Sequence, residues 1–159
     1  MDRQPATGAF FDDSLWPLLI VRLVGQLSHA QFEAYLERMR SYLLRGERHL
    51  FIMDTSQSRS TSVDGKRRLQ ADWMDANEAL LREWRLGTAF VIRSPFLGLA
   101  MRAFLHAKPL VTPYVVVSNL HEAAAWAAGR FEEAGLPLQA GLIREHFGLR
   151  VSRLEHSAR

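Results

Sequence analysis

The chain has no cysteine among its 159 residues. That removes a disulfide framework, a thiolate zinc site and a cysteine nucleophile in one step, and it fits a reducing cytoplasm, the expected compartment. Long apolar runs are scarce too. The most apolar stretch, "LWPLLIVRLV", is interrupted by Pro17 and Arg22 and falls short of the about 20 residues that cross a bilayer. No small-residue cleavage site follows it, so it reads as a buried strand, and neither an export signal nor a transmembrane segment is expected. Charge of one sign is also in short supply. The formal net charge is +3, and the stretch from Arg59 to Arg68 accounts for it, with Arg59, Lys66, Arg67 and Arg68 set against Asp64. An excess so local does not call for nucleic acid, whose binders present a broad basic face.

The catalytic signatures are missing as well. There is no G-x-S-x-G elbow, no Walker loop, no G-x-G-x-x-G after a strand and no H-E-x-x-H. The histidines at 29, 49, 106, 121, 146 and 156 show no pairing at metal-ligand spacing. His121-Glu122 and Glu145-His146 are neighbours that point different ways on a helix. No nucleophile–base pair can be read, so a non-enzymatic protein without metal or cofactor is expected.

What is present is the pattern of a globular α/β protein. Apolar residues make up 48% and charged ones 23%, a balance that supports a buried core and excludes a disordered chain. The length suits one domain, with a core at about 10–135 and an extension at 136–159. "AFFDDSLWPLLIVRLVG" reads as an N-terminal hairpin: a short strand around Phe10 and Phe11, a turn at Asp12-Asp13-Ser14, and a longer strand from Leu15 to Val24. Ser28 with Gln31 forms a capping box. The helix it opens carries Phe32, Tyr35, Leu36, Met39, Leu43 and Leu44 at helical spacing, and Gly46 stops it. "HLFIMD" is a short, continuously apolar strand of the kind covered on both faces.

A long helix over Val63 to Trp84 follows, with Leu69, Trp73, Ala76, Leu80 and Trp84 as its stripe. "GTAFVI" is the next strand. Ser94 caps a helix with Pro95 in its first position, and "PFLGLAMRAFLHAK" is apolar nearly all round, which suits either a core helix or a partner surface. After the strand "PYVVVS", Asn119 with Glu122 caps a last helix ended by Gly135. The tail reads as a short helix, with an added strand at "LRVSRL". This alternation gives a mixed, largely parallel sheet of about five strands with about four helices on its faces. The four tryptophans fall in these apolar patterns and read as packing residues.

The chemistry worth weighing lies at one edge. Asp54 closes a buried strand, and open α/β sheets take their ligands at the carboxyl ends of strands. The next stretch, "SRSTSVDGKRR", opens a helix, with Thr61 and Asp64 as a capping box or Ser62 as the cap. Free amides and the helix dipole make such a start receptive to anions. Lys66, Arg67 and Arg68 sit in the first turns, where the dipole disfavours cations. Arg68 can pair with Asp72, whereas Lys66 and Arg67 have no carboxylate four residues on. Two readings follow. In one, a protein partner binds the edge from 54 to 68 together with Arg93 and Ser94. Asp54 then organises the loop, Ser60 or Ser62 is the contact or modification point, and Lys66 and Arg67 steer an acidic surface. In the other, the protein carries a lipid-like or phosphorylated small molecule, with the amides of the two helix starts and Arg67 or Arg93 on the anion. A homodimer is compatible with either.

The run "WPLLIVRLVGQLSHAQFEAYLERMRSYLLRGERHLFIMDTSQ", then "ADWMDAN", "LGTAFVIRSP" and "VVVSNLHEAAAWA", resembles the bacterial SpoIIAA-like branch of the STAS superfamily. The carriers are the glycine followed by "LS" and a helix, the strand at Asp54, and the closing strand-Asn-helix with Ala124, Trp126 and Ala127. The resemblance implies an α/β sandwich used for regulation through partner binding. It also implies a serine at the start of the second helix, matching Ser60-Thr61-Ser62, that is phosphorylated in anti-sigma-factor antagonists. Here "S-V-D-G" replaces the antagonists' "D-S-S-G". Comparison of this branch with lipid-carrying domains would make the apolar helix after Ser94 a gate over a pocket.

Overall fold

The structure, a computed structural model, describes residues 6–59 and 64–149. Its sheet has five strands in the spatial order of the sequence: β1 (Gly8–Leu15), β2 (Leu18–Gly25), β3 (His49–Ser58), β4 (Arg85–Val91) and β5 (Tyr114–Val117). β1 pairs antiparallel with β2, and every later pair is parallel. The helices are α1 (His29–Leu43), α2 (Asp64–Ala76), α3 (Glu78–Trp84), α4 (Pro95–Ala107), α5 (Leu120–Glu133) and α6 (Pro137–His146).

Strand alternation divides the core into two layers. Leu18, Ile20, Leu50, Ile52, Ala89 and Val91 face α5 and α6, where they meet Ala123, Ala127, Phe131 and Ile143. Leu19, Val21 and Phe51 point the other way, onto Phe32, Tyr35, Leu36 and Met39 of α1 and against Leu69 and Trp73 of α2. Strands laid down in order, with crossovers of one hand, keep their connecting helices on one face. α4 follows that rule and packs Met101 and Leu105 on Phe90, Ile92 and Val116.

Local sequence explains most boundaries. Ser28 accepts from the Gln31 amide at 3.1 Å while the Gln31 side chain accepts from the Ser28 amide at 2.9 Å, completing the capping box. Gly46 holds φ +66°, a left-handed conformation that glycine adopts without a Cβ penalty. Asn119 accepts from the Glu122 amide at 2.9 Å, but the Glu122 carboxylate faces the Ser118 amide instead of closing a reciprocal box.

Four expectations are corrected. β1 continues through Asp12-Asp13-Ser14, and the chain reverses at Trp16-Pro17. Proline has no N–H for the ladder and so suits the turn. Asp12 still acts as a turn-type acceptor, taking the Ser14 amide at 3.0 Å and the Ser14 hydroxyl at 2.6 Å where the β1–β2 register shifts. Leu44 is exposed at the C-cap of α1 instead of lying on its buried face. The long helix breaks at Asn77, whose Nδ2 donates to the Trp73 carbonyl and whose Oδ1 accepts from Arg40 of α1. That break, with α6, raises the helix number above the expected four. Of the strand suggested at Leu149 to Leu154, all but Leu149 lies outside the described residues.

Candidate functional site

The edge singled out from sequence is the carboxyl edge of the parallel strands. β3 does not end at Asp54 but runs on to Ser58, so Asp54 lies inside the sheet, in register with Arg22 of β2 and Val91 of β4. It is buried, and its Oδ1 accepts from the Ser56 amide at 2.9 Å. Thr55 donates its hydroxyl to the Val91 carbonyl at 2.7 Å, and the Arg59 amide donates to Gly25 at 2.9 Å. Asp54 is therefore committed to shaping the outgoing chain.

Ser60 and Ser62, with the proposed caps at Thr61 and Ser62, lie outside the described residues. Past them, Lys66 is half-buried and its ammonium donates to the carbonyl of Leu27, in the loop between β2 and α1. It ties α2 to the rest of this edge. Arg67 is exposed, with its guanidinium 5.4 Å from the centre of the Phe104 ring on α4. Arg93 is exposed just beyond β4, and Ser94 caps α4 by accepting from the Leu97 amide at 3.3 Å. Among the described residues, Arg67 and Arg93 form no ion pair, and Arg68 does not pair with Asp72.

The structure thus brings Asp54, Arg93 and Ser94 to one strand edge through the Asp54–Val91 register, and links α2 to α4 through Arg67 and Phe104. No cluster of three or more His, Asp or Glu side chains that could hold a metal occurs among the described residues. A groove of about 470 Å³ does exist, but it lies at the opposite end of the sheet, between the β1–β2 turn, α5 and α6. Leu15, Trp16, Pro17, Phe131, Ile143 and His146 are among its lining residues. This is not the pocket that a gating role for α4 would need.

Sequence reading missed a buried polar group at that opposite end. His49 opens β3 and Arg85 opens β4, paired side by side, and both are buried. Arg85 Nε donates to His49 Nε2 at 3.3 Å, and His49 Nδ1 faces the Glu47 carbonyl at 2.9 Å. Arg85 also lies 4.8 Å over the Phe51 ring, and its Nη2 has no partner among the described residues. Burial, and then the Arg85 charge, pull the His49 pKa down to about 4. Burial lowers Arg85 to about 10. No spacing rule reveals such a pair, because its members are 36 positions apart and only the parallel register joins them.

Neither a protein-family model nor a curated protein matches the chain. Solved structures resemble it in fold, two of them as follows. One is an uncharacterised protein of the DUF3478 family, with a SpoIIAA-like fold, from Shewanella loihica PV-4. It is 17% identical, with 80% of this chain and 99% of that one covered and a TM-score of 0.54. The other is an anti-sigma factor antagonist from Mycobacterium paratuberculosis, 12% identical, with 80% and 98% covered and a TM-score of 0.51. At these identities the likeness is one of fold: the chain has the SpoIIAA-like α/β fold that its sequence resembles.

Proposed function

We propose that this protein is a non-enzymatic regulatory domain that binds a protein partner at the strand edge formed by 54–68, Arg93 and Ser94. The observation that carries the reading is the unbalanced charge at this edge. Arg67 and Arg93 stand exposed and, among the described residues, without a carboxylate partner, beside a helix whose outer face is apolar. Exposed guanidiniums next to apolar surface are the groups that anchor protein interfaces. The fold likeness to an anti-sigma factor antagonist supports the same class of function. In this reading Asp54 and Lys66 hold the edge in shape, Arg67 and Arg93 make contact, and Ser60 or Ser62 lies within the contact.

Photo-cross-linking in the native cells tests this. Benzoylphenylalanine at Arg59 or Arg67 is expected to give one discrete adduct, and the same group at Glu47, at the opposite end, none. Equal adducts at both ends, or none at 59 and 67, would reject the edge as the binding site. The carrier alternative, with a lipid-like or phosphorylated ligand, calls for a pocket beneath α4, and the groove described above lies elsewhere.

A further inference from the structure

α4 has two faces of different purpose. Gly98, Met101 and Leu105, at spacings of three and four, turn toward the sheet. A Cβ at Gly98 would meet Val116 at 4.0 Å, an ordinary van der Waals contact, which places this position on the face that packs against β5. The other face is apolar and uncovered: Phe96 is 78% exposed, Leu97 56%, Leu99 65% and Phe104 46%. Single exposed apolar residues are ordinary, but a contiguous group of large ones on one helix marks an interaction surface. At 1.5 Å per residue the stripe from Phe96 to Phe104 runs about 12 Å, a little over two helical turns.

Within the segment that carries the stripe, the charge is one-sided. From Arg85 to His121 the sequence contains neither Asp nor Glu. Arg93 precedes the helix, Lys108 caps its end, and Arg67 leans over Phe104 from α2. The amino-terminal end of the helix dipole adds to the positive potential beside Arg93. A second copy docked stripe to stripe would set cation against cation, with no acidic group in the segment to answer it. The occupant that fits is apolar in the middle and acidic at its margins.

We propose that this face of α4 docks an amphipathic helix of the partner protein, one whose apolar stripe is bordered by Asp and Glu. The proposal rests on the partner-binding reading above and names the partner's chemistry. The apolar stripes supply affinity in the manner of helix-in-groove recognition, and Arg67, Arg93 and Lys108 select acidic flanks and speed association.

The test uses two synthetic helical peptides with the same Leu and Phe stripe, one flanked by Glu and Asp, the other by Lys. Fluorescence anisotropy is read against wild type, Leu99→Asp, Arg67→Ala/Arg93→Ala and the remote control Leu138→Asp, with circular dichroism confirming that each variant is folded. The acidic peptide is expected to bind at least about tenfold more tightly than the basic one. Leu99→Asp should cost about tenfold or more, the double arginine variant should flatten the salt dependence, and Leu138→Asp should change nothing. Equal affinity for both peptides, no saturable binding, or indifference to Leu99→Asp would overturn the proposal. So would co-sedimentation with phosphatidylglycerol–phosphatidylcholine vesicles that Leu99→Asp abolishes and the acidic peptide cannot displace, which would assign the face to a membrane. A wild-type dimer that Leu99→Asp dissociates would assign it to a second copy. Edge cross-links that persist without peptide binding sink this inference alone, whereas peptide binding without edge cross-links sinks the broader reading.

Discussion

His49 Nε2 accepts from Arg85 Nε at 3.3 Å, inside the protein, with Nδ1 of the same ring turned to the Glu47 carbonyl at 2.9 Å. A carbonyl can only accept, so Nδ1 carries the proton and Nε2 holds the lone pair that meets the guanidinium. The ring must stay neutral for this contact to exist.

Stability should therefore fall with acid in a defined window. The unfolded imidazole titrates near 6.5 and the folded one at about 4. Between those values the unfolded chain binds a proton that the folded protein refuses, so lowering the pH favours unfolding. The loss amounts to about 3 kcal/mol and is complete below about pH 4. Thermal melts from pH 7 to pH 3.5 on wild type and His49→Gln should converge as the pH drops. Parallel curves would show that His49 is not the titrating group.

Arg85 is a buried cation whose Nη2 lacks a partner among the described residues, and burial disfavours its charge. Replacing a poorly compensated buried charge with an apolar residue of similar size is commonly neutral or stabilising. Arg85→Met is thus expected to leave the melting temperature unchanged or raise it, in calorimetry at pH 7. A loss of more than about 2 kcal/mol would show that the guanidinium is satisfied and structural.

Lys66 and Arg67 are neighbours with different duties. Lys66→Met removes a charged donor from the Leu27 carbonyl and should cost about 1–2 kcal/mol in urea unfolding. Arg67→Ala loses an exposed ring contact, worth under about 1 kcal/mol. The reverse order would place the structural tie at Arg67.

Gly87 has no room for a side chain. A Cβ there would lie 2.6 Å from the Trp126 ring and 3.1 Å from the Pro113 carbonyl. Gly87→Ala should destabilise by about 1–3 kcal/mol through overpacking. Trp126→Leu should recover part of that loss in the double variant, because the ring is the nearer obstacle. No recovery would place the strain in the backbone around Pro113.

Features that depend on a few neighbouring residues were legible without the structure. The Ser28–Gln31 box, the Ser94 cap with Pro95, and the glycine stops at 46 and 135 all act over one turn of chain. The alternation of apolar strands and amphipathic helices is equally local, and with strands in sequence order it leads directly to the parallel sheet. The helix break at Asn77 was not legible, because Arg40 of a different helix helps hold it. The hairpin turn was misplaced for a related reason, since cross-strand register decided that Asp12 sits in a bulge and Trp16-Pro17 in the turn.

The candidate edge divides in the same way. Sequence alone determined that basic residues gather after a buried strand and that the helix after Ser94 is apolar nearly all round. Only the tertiary structure decided which of these groups are free to act. Asp54 and Lys66 are spent on backbone amides and carbonyls, Arg67 reaches Phe104, and the outer face of α4 stays uncovered. Residue order sets what each segment can bury or bond locally. Which surface remains over is settled by strand register and helix packing between segments far apart in the chain.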